Sequence, residues 1–283
     1  KEDVKKDKQE KDHFLLFDVK AWAVIDSMTQ VKSYKTPKKY EGWVAVLKSK
    51  EAQPKKKEKD STKTKVNPST KGDYVVVINL LQKRKDTLFN IDSYTFSDEN
   101  PGFYYLVNAE KKKSKGGIFS FELNQHQSRV IDTGKVAYKH LAANHSGNGL
   151  AYLAAIDSVQ KDSLRFELNY WDNGQTRVVV DKDFEQLPDN WRLSAYQSPV
   201  FSKHDQRLFF KAYPHRNLNV DTTLIEEEKA EVDVWVWTDK MIQPEQKARK
   251  KQLTEKAFDF YWDLGTGKII SLSDEEMDEL SFD

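Results

Sequence analysis

A short unit recurs along this chain: a strand that ends in a small or polar residue, a polar turn, and then an apolar strand. The three copies occupy, in order, residues 94–107, 142–154 and 198–212. Ser97, Ser146 and Ser202 close the first strand of each copy and lie 49 and then 56 residues apart. A period near 50 residues that is built from short strands is typical of β-propeller blades, not of helical solenoids.

We therefore predict an all-β fold in which residues 41–283 form a partial β-propeller of about four blades. The predicted strands, blade by blade, are 42–48, 74–81 and 87–90; 94–97, 103–109, 117–123 and 128–132; 139–144, 150–156, 164–171 and 176–181; and 197–201, 208–213, 232–237, 258–263 and 268–272. Glycine-containing turns at 172–174 and 265–267 fit this interpretation, because tight hairpins need residues that tolerate positive φ.

Residues 1–40 are predicted to form a separate N-terminal arm with a short helix. Residues 1–12 are almost wholly charged and are expected to be solvated. Apolar residues then recur at mixed steps of three and four, which favours an amphipathic helix around 18–30 that ends before Pro37.

Three polar segments interrupt the strand rhythm and are predicted to be insertions, at 49–71, 215–231 and 240–256. The first is rich in Lys, Ser and Thr without interleaved aromatics, so a mobile loop is favoured over a phosphate-binding patch. In the third, Pro244 followed by Glu245 predicts the start of a short surface helix.

Charge and composition exclude several functions. The 46 basic and 45 acidic side chains give a net charge of +1, which does not indicate a nucleic-acid or anionic-membrane partner. No apolar run approaches the roughly 20 residues that a membrane span requires. With no cysteine in the chain, disulfides and thiolate metal sites are both impossible. The absence of cysteine fits either the cytosol or an exported protein, and the chain opens on Lys1 without a signal-peptide pattern.

Several side chains could carry chemistry, but each has a structural interpretation that we favour. His145 and His204 fall in turns without the spacing of a metal-binding pair, so surface histidines are expected. Strand-end aspartates are expected to cap turns and not to form a glycosidase acid pair; they are Asp73, Asp92, Asp132, Asp157 and Asp181. Five tryptophans are expected to pack between blades and not to form a sugar platform; they are Trp171, Trp191, Trp235, Trp237 and Trp262.

Taken together, three stretches resemble a known family. They are the opening around Trp22 and Gly42–Val46, the blade strands that end in the three serines, and the segment 232–239 with the Gln243-Pro244 helix and Phe260–Asp263 behind it. They resemble the N-terminal β-propeller of the prolyl oligopeptidase family of serine peptidases, in its bacterial dipeptidyl-aminopeptidase-like branch. The resemblance covers roughly residues 14–283 and implies a propeller of seven or eight blades followed by an α/β-hydrolase domain.

The resemblance does not imply that this chain is itself catalytic. The family's nucleophile elbow requires Gly-x-Ser-x-Gly, and this pentapeptide does not occur in the sequence. No catalytic residue, metal or cofactor is therefore expected, and no substrate-binding residue can be assigned. In dipeptidyl-peptidase relatives, acidic side chains of a propeller insertion capture the substrate amine. The run Glu226–Glu228 is expected instead to be an exposed acidic loop.

The resemblance favours a non-catalytic propeller that gates and positions short peptides for a hydrolase domain missing from this chain, in a periplasmic or exported peptidase. The alternative is a stand-alone module that binds a protein or glycan partner. A third possibility, a glycosidase on a five-bladed propeller, has no supporting motif in the sequence. Because the chain stops at Asp283 just after a blade is complete, truncation is favoured over a closed module. An open arc of blades would expose apolar faces, so self-association is expected.

Overall fold

The computed structural model describes residues 13–49, 72–107, 116–155, 164–214, 241–249, 255–274 and 277, and the fold of these residues is almost entirely β. The strands are β1 (Phe14–Asp18), β2 (Ala23–Met28), β3 (Val31–Lys35), β4 (Trp43–Lys48), β5 (Tyr74–Asn79), β6 (Arg84–Phe89), β7 (Ile91–Phe96), β8 (Phe103–Val107), β9 (Gly117–Glu122), β10 (Gln127–Thr133), β11 (Ala137–Ala143), β12 (Gly149–Ala155), β13 (Phe166–Asp172), β14 (Gln175–Val180), β15 (Trp191–Leu193), β16 (Val200–Phe201), β17 (Arg207–Pro214), β18 (Phe258–Asp263) and β19 (Ile269–Ser271).

Seventeen of these strands, β3 to β19, build four antiparallel sheets in chain order. The sheets are β3–β6, β7–β10, β11–β14 and β15–β19. In the fourth sheet, β15 and β16 both pair with β17, at Leu193↔Ala212 and Val200↔Phe209, so together they act as one interrupted strand. Consecutive four-stranded meanders are the blades of a propeller, which confirms the predicted all-β fold with about four blades.

The blades are held face to face by apolar side chains that alternate along their middle strands. In β8, Phe103 and Tyr105 join the cluster against blade one, whereas Tyr104 and Leu106 join the cluster against blade three. Every residue of β12 is buried for the same reason, because each of its two faces packs against a neighbouring blade. Successive side chains of a strand point to opposite faces, so a strand that is covered on both sides has buried positions on both faces, and in β12 all of these positions are apolar.

The predicted helix around 18–30 is wrong, because β1 and β2 form an antiparallel hairpin there. Asp18 Oδ1 accepts hydrogen bonds from the amides of Lys20 (2.8 Å) and Ala21 (3.0 Å), which closes a tight turn. Trp22 then has φ 52°, a value outside any right-handed helix. Met28 is buried against the first blade, and Phe14 packs on the same cluster.

The first strand of blade one, β3, was not predicted, and it lies before the expected boundary at residue 41. Its residues 31–35 carry three exposed polar positions and little apolar pattern, but they pair with β4 through Lys35↔Ala45 and Tyr34↔Val46. Strand pairing, not amphipathicity, therefore defines this element. Residues 1–12 lie outside the described residues.

The described part of the third insertion contains one helix, α1 (Gln243–Ala248), with Pro244 in its first turn, as the sequence predicts. Arg249 and Glu245 form an ion pair of 3.3 Å along it. Residues 50–71, 215–240 and 250–254 lie outside the described residues, and so does the predicted strand 232–237. The place beside β17 is taken by β18, with Phe210↔Phe260. Within the described residues, no helix has both the length and the apolar character that crossing a bilayer demands.

Candidate functional site at the turn end of the blades

A turn of six residues joins the first and second strands of blades two, three and four, and the three turns share one backbone hydrogen bond. The amide of Ser97 donates to the carbonyl of Gly102, Asn144 donates to Gly149, and Ser202 donates to Arg207, each at 2.9 Å. Ser97, Asn144 and Ser202 are therefore the equivalent positions. The predicted equivalence of Ser146 with the other two serines is wrong by two residues, because Ser146 lies inside its turn.

The side chain of Asn144 explains this shift, because it organises its turn as Ser97 organises the preceding one. Asn144 Oδ1 accepts from the amides of Gly147 and Gly149, each at 2.9 Å. Ser97 Oγ donates to the carbonyls of Asn100 and Gly102. Asn and Ser both form hydrogen bonds with backbone groups of a turn from its first position. Aligning the copies on serine alone therefore places the second copy out of register.

Neighbouring turns are joined to one another across the blades. From blade one, the Lys39 amide donates to the Asp98 carbonyl (3.0 Å), and Lys38 Nζ donates to Asp98 Oδ2 (2.9 Å). From blade two, the Glu99 amide donates to the His145 carbonyl (2.8 Å), and His145 Nδ1 lies 2.8 Å from Asp98 Oδ2. Asp98 is thus held by side chains from both neighbouring blades.

The turns of blades three and four are joined through one carboxylate. Asp205 Oδ1 accepts from the amide of His145 and Oδ2 accepts from the amide of Ser146, each at 2.8 Å. Asn100 Nδ2 also donates to the Ser146 carbonyl at 2.7 Å, between the turns of blades two and three. We call the whole set the inter-turn network; its members are Lys38, Lys39, Asp98, Glu99, Asn100, His145, Ser146 and Asp205. It runs without a break through the turns of all four blades at one end of the sheets, and so it resists their separation there.

Close packing of the turns leaves no room for a side chain at Gly147. Its φ is +80°, and a Cβ atom there would lie 2.9 Å from Ser97 Oγ and 3.0 Å from the Asn100 carbonyl oxygen. Tyr104 Oη also donates to the Gly147 carbonyl at 2.7 Å. Glycine at this position therefore allows the turns of blades two and three to touch.

Charge around Asp98 favours its ionised form. Partial burial acts to raise its pKa, but the hydrogen bond and positive charge of Lys38, with the bond from His145, outweigh burial. The pKa of Asp98 therefore lies below its ordinary value of 3.8 in the folded protein.

Acid should weaken the network through Asp98. Because its pKa is lower when folded, its stabilising contribution is full above the unfolded-state pKa and disappears as the pH falls through the folded-state value. We expect the free energy of unfolding to fall further between about pH 5 and about pH 2 in the wild type than in Asp98→Asn. Urea titrations at both pH values measure the difference. Equal losses in the two proteins would show that Asp98 does not contribute.

Neither histidine that was considered as a metal ligand has the surroundings of one. His145 is half-buried in the inter-turn network, and His204 is exposed in the turn of blade four. Across the described ranges, no three His, Asp or Glu side chains are grouped as a metal ion would require.

The strand-end aspartates that the structure describes serve different local contacts. Asp181 caps a turn as predicted, since it accepts from the amide of Asp183 (3.0 Å) and from Gln186 Nε2 (3.0 Å). Asp132 accepts from Tyr152 Oη at 3.0 Å, and Asp73 pairs with Lys32. Asp92 is exposed, and Asp157 lies outside the described residues.

Of the tryptophans that the structure describes, Trp262 and Trp171 lie between blades as predicted, whereas the ring contacts of the partly buried Trp191 are within blade four. Trp262 is buried against Tyr170, Trp191 packs on Phe258 and Phe260, and Trp171 packs on Tyr104. Trp235, Trp237 and the Glu226–Glu228 run lie outside the described residues. Sequence reasoning missed Asp205, although an acidic residue three positions after a turn-opening serine was a usable signal.

Four consecutive blades with joined turns define a partial β-propeller, and similar solved structures are known. Pyrococcus horikoshii acylaminoacyl peptidase matches with a TM-score of 0.46 and 7% identity, over 93% of this chain and 35% of that chain. The β-propeller domain of the Trilobed protease from Pyrococcus furiosus matches with a TM-score of 0.33 and 10% identity, over 86% of this chain and 72% of that chain. TolB from Acinetobacter baumannii matches with a TM-score of 0.40 and 10% identity, over 74% of this chain and 39% of that chain.

This chain thus spans about a third of the acylaminoacyl peptidase and two fifths of the TolB chain that it matches. Peptidases, the class that the sequence resemblance predicts, are among the solved structures that it is similar to. No protein-family model and no curated protein sequence matches the chain.

Proposed function

We propose that this chain is the non-catalytic propeller portion of a serine peptidase of the prolyl oligopeptidase type, in which it gates and positions short peptides. The observation that carries the proposal is the inter-turn network. A gate that sorts substrates by size must keep its opening constant, and hydrogen bonds between the turns of successive blades oppose their spreading. The sequence resemblance supplies the peptidase class.

In this proposal, the partner of the propeller is an α/β-hydrolase domain that supplies the nucleophile. Short peptides are the substrate of the whole enzyme, and its compartment is periplasmic or otherwise exported. The propeller contributes steric selection, which limits the substrates that reach the nucleophile, and orientation, which raises the rate for those that do.

The test uses the full-length native protein. We expect it to hydrolyse chromogenic dipeptides and to be labelled by a fluorophosphonate, while folded proteins and long peptides are poor substrates. In Asp205→Asn, the connection between blades three and four is weakened, so we expect cleavage of long peptides to rise relative to dipeptides. Asp189→Asn, an exposed change between the same blades, is the control.

Two results would contradict the proposal. If the fluorophosphonate does not label the native protein, the protein is not a serine peptidase. If the ratio of long-peptide to dipeptide cleavage is unchanged in Asp205→Asn, the propeller does not act as a gate. The first result would favour the alternative function instead.

A stand-alone binding module is that alternative, and the exposed apolar surface of the β1–β2 hairpin favours it. Leu15 is 60% exposed, Trp22 is 78% exposed and Ile25 is 54% exposed. Exposed apolar groups collected on one hairpin are typical of contact surfaces. The same surface supports the proposal that the isolated chain self-associates, which light scattering measures directly.

A further inference from the structure

A second site lies at the opposite end of the blades from the inter-turn network, between blades three and four. It is a cavity of about 270 Å³ bordered by the start of β13, the end of β17 and the strand β15. Its polar and charged lining comes from five side chains; they are Lys139, Arg165, Arg192, Tyr196 and Tyr213. Phe166 and Leu193 form part of its apolar wall, and none of the described residues that line it is acidic. We call it the cationic pocket.

The three cations of the cationic pocket have no carboxylate partner among the described residues. No Asp or Glu oxygen in that part of the chain lies within 4.0 Å of a charged nitrogen of Lys139, Arg165 or Arg192. Lys139 Nζ instead lies 5.1 Å from the centre of the Phe166 ring. Basic side chains on this protein commonly do find acids, as Lys211 does with Asp259 at 3.1 Å.

The acidic side chains nearest to the cationic pocket either form other contacts or line a different cavity. Glu167 lies 3.8 Å from Lys135, and Asp181 caps its own turn. An adjoining cavity shares Arg165 and Arg192 and is lined by three acids; they are Asp183, Glu185 and Asp189. Phe184 lines both cavities, and none of these acids forms an ion pair with either arginine.

Arg192 is therefore a partly desolvated cation with another cation beside it. Burial lowers its pKa, the charge of Arg165 lowers it further, and Tyr213 acts in the opposite sense. Taking a guanidinium out of water next to a like charge costs free energy unless an anion is present. Burial also raises the pKa of Tyr213, so its hydroxyl stays protonated and can donate.

We propose that the cationic pocket binds the oxyanion of a small ligand, a carboxylate or a phosphate group, between Arg165 and Arg192. A guanidinium offers parallel N–H donors that match the two oxygens of such a group. Lys139 adds positive charge, Tyr213 adds a hydroxyl donor, and Phe166 with Leu193 accommodates the apolar part of the ligand. The cavity volume suits one anionic group with a short attachment. This inference does not rest on the peptidase proposal.

Calorimetric titration of the 283-residue chain tests it with three probes: inorganic phosphate, an acetylated dipeptide with a free carboxylate, and the same dipeptide as its amide. We expect at least one anionic probe to bind and the amide not to bind. The anion that binds more tightly shows whether the oxyanion of the ligand is a phosphate or a carboxylate. Arg192→Gln and Arg165→Gln should each weaken that binding at least about tenfold.

The matched control is Arg177→Gln. It alters an exposed arginine on β14, in the same blade as Arg165, and should change the dissociation constant less than about twofold. Thermal melts confirm that each variant is folded, and Arg192→Lys, which keeps the charge without the planar fork, should bind with intermediate strength. The proposal is overturned if neither anion binds saturably. It is equally overturned if both anions bind unchanged to folded Arg192→Gln.

Discussion

Phe260→Ala is expected to lower the free energy of unfolding by about 3–5 kcal/mol, the largest effect of any single change considered for this chain. Phe260 lies in the middle of β18 and is 2% exposed. Its ring centre lies 5.9 Å from that of Phe210 in a stacked arrangement and 5.4 Å from that of Trp191 in an edge contact. Removing the ring leaves a cavity between blades three and four that rigid neighbouring strands cannot fill.

The matched control is Phe89→Ala, because Phe89 lies at the end of the edge strand β6 and is 44% exposed. That change should cost less than about 1 kcal/mol. Urea unfolding followed by tryptophan fluorescence measures both variants. If Phe260→Ala loses no more stability than Phe89→Ala, blades three and four do not share the core that the structure describes.

Blades two and three were predictable because their middle strands are buried on both faces. A run such as Gly149–Ala155 has no polar position at all, and its partner run Phe166–Asp172 ends in an Asn-Gly turn with positive φ at Asn173 and Gly174. Length, apolar content and turn chemistry all indicate the same strand there, so local preferences and tertiary packing agree.

The N-terminal hairpin and the strand β3 were missed because their sequence pattern is ambiguous. Apolar residues at mixed steps around Trp22 and Ile25 fit a helix, yet they lie exposed on a hairpin once Asp18 closes the turn, and Met28 alone of β2 is buried. Short apolar segments do not distinguish the two periods, and the packing surface that decides between them belongs to blade one.

The candidate site was less predictable than the fold because its contacts join residues far apart in sequence. Lys38 and Asp98 lie 60 residues apart, and so do His145 and Asp205. The sequence indicated polar turns at these places but not which turns touch. The cationic pocket was missed for the same reason, since Arg165 and Arg192 meet only after blades three and four pack together.

Asp205→Asn is the second large expected effect, because it weakens the hydrogen bonds between the turns of blades three and four without altering the shape of the side chain. One amide oxygen can still accept from His145 or Ser146, but the NH₂ group that replaces the other oxygen faces a backbone N–H donor. Asp205 has φ 56°, a conformation that Asn tolerates as Asp does, so backbone strain is not added. The loss of one charge-assisted hydrogen bond, together with two N–H donors that face each other, should lower the free energy of unfolding by about 1.5–3 kcal/mol.

Asp189→Asn makes the same chemical change at an exposed position between the same blades and should leave stability within about 0.5 kcal/mol of the wild type. Amide hydrogen exchange separates a local effect from a global one. Because the amides of His145 and Ser146 donate only to Asp205 among the described contacts, their protection should fall most in Asp205→Asn. Unchanged protection at these two amides would mean that Asp205 does not hold the turns together. The rigidity on which a size-selective gate depends would then have to come from the apolar clusters between the blades alone.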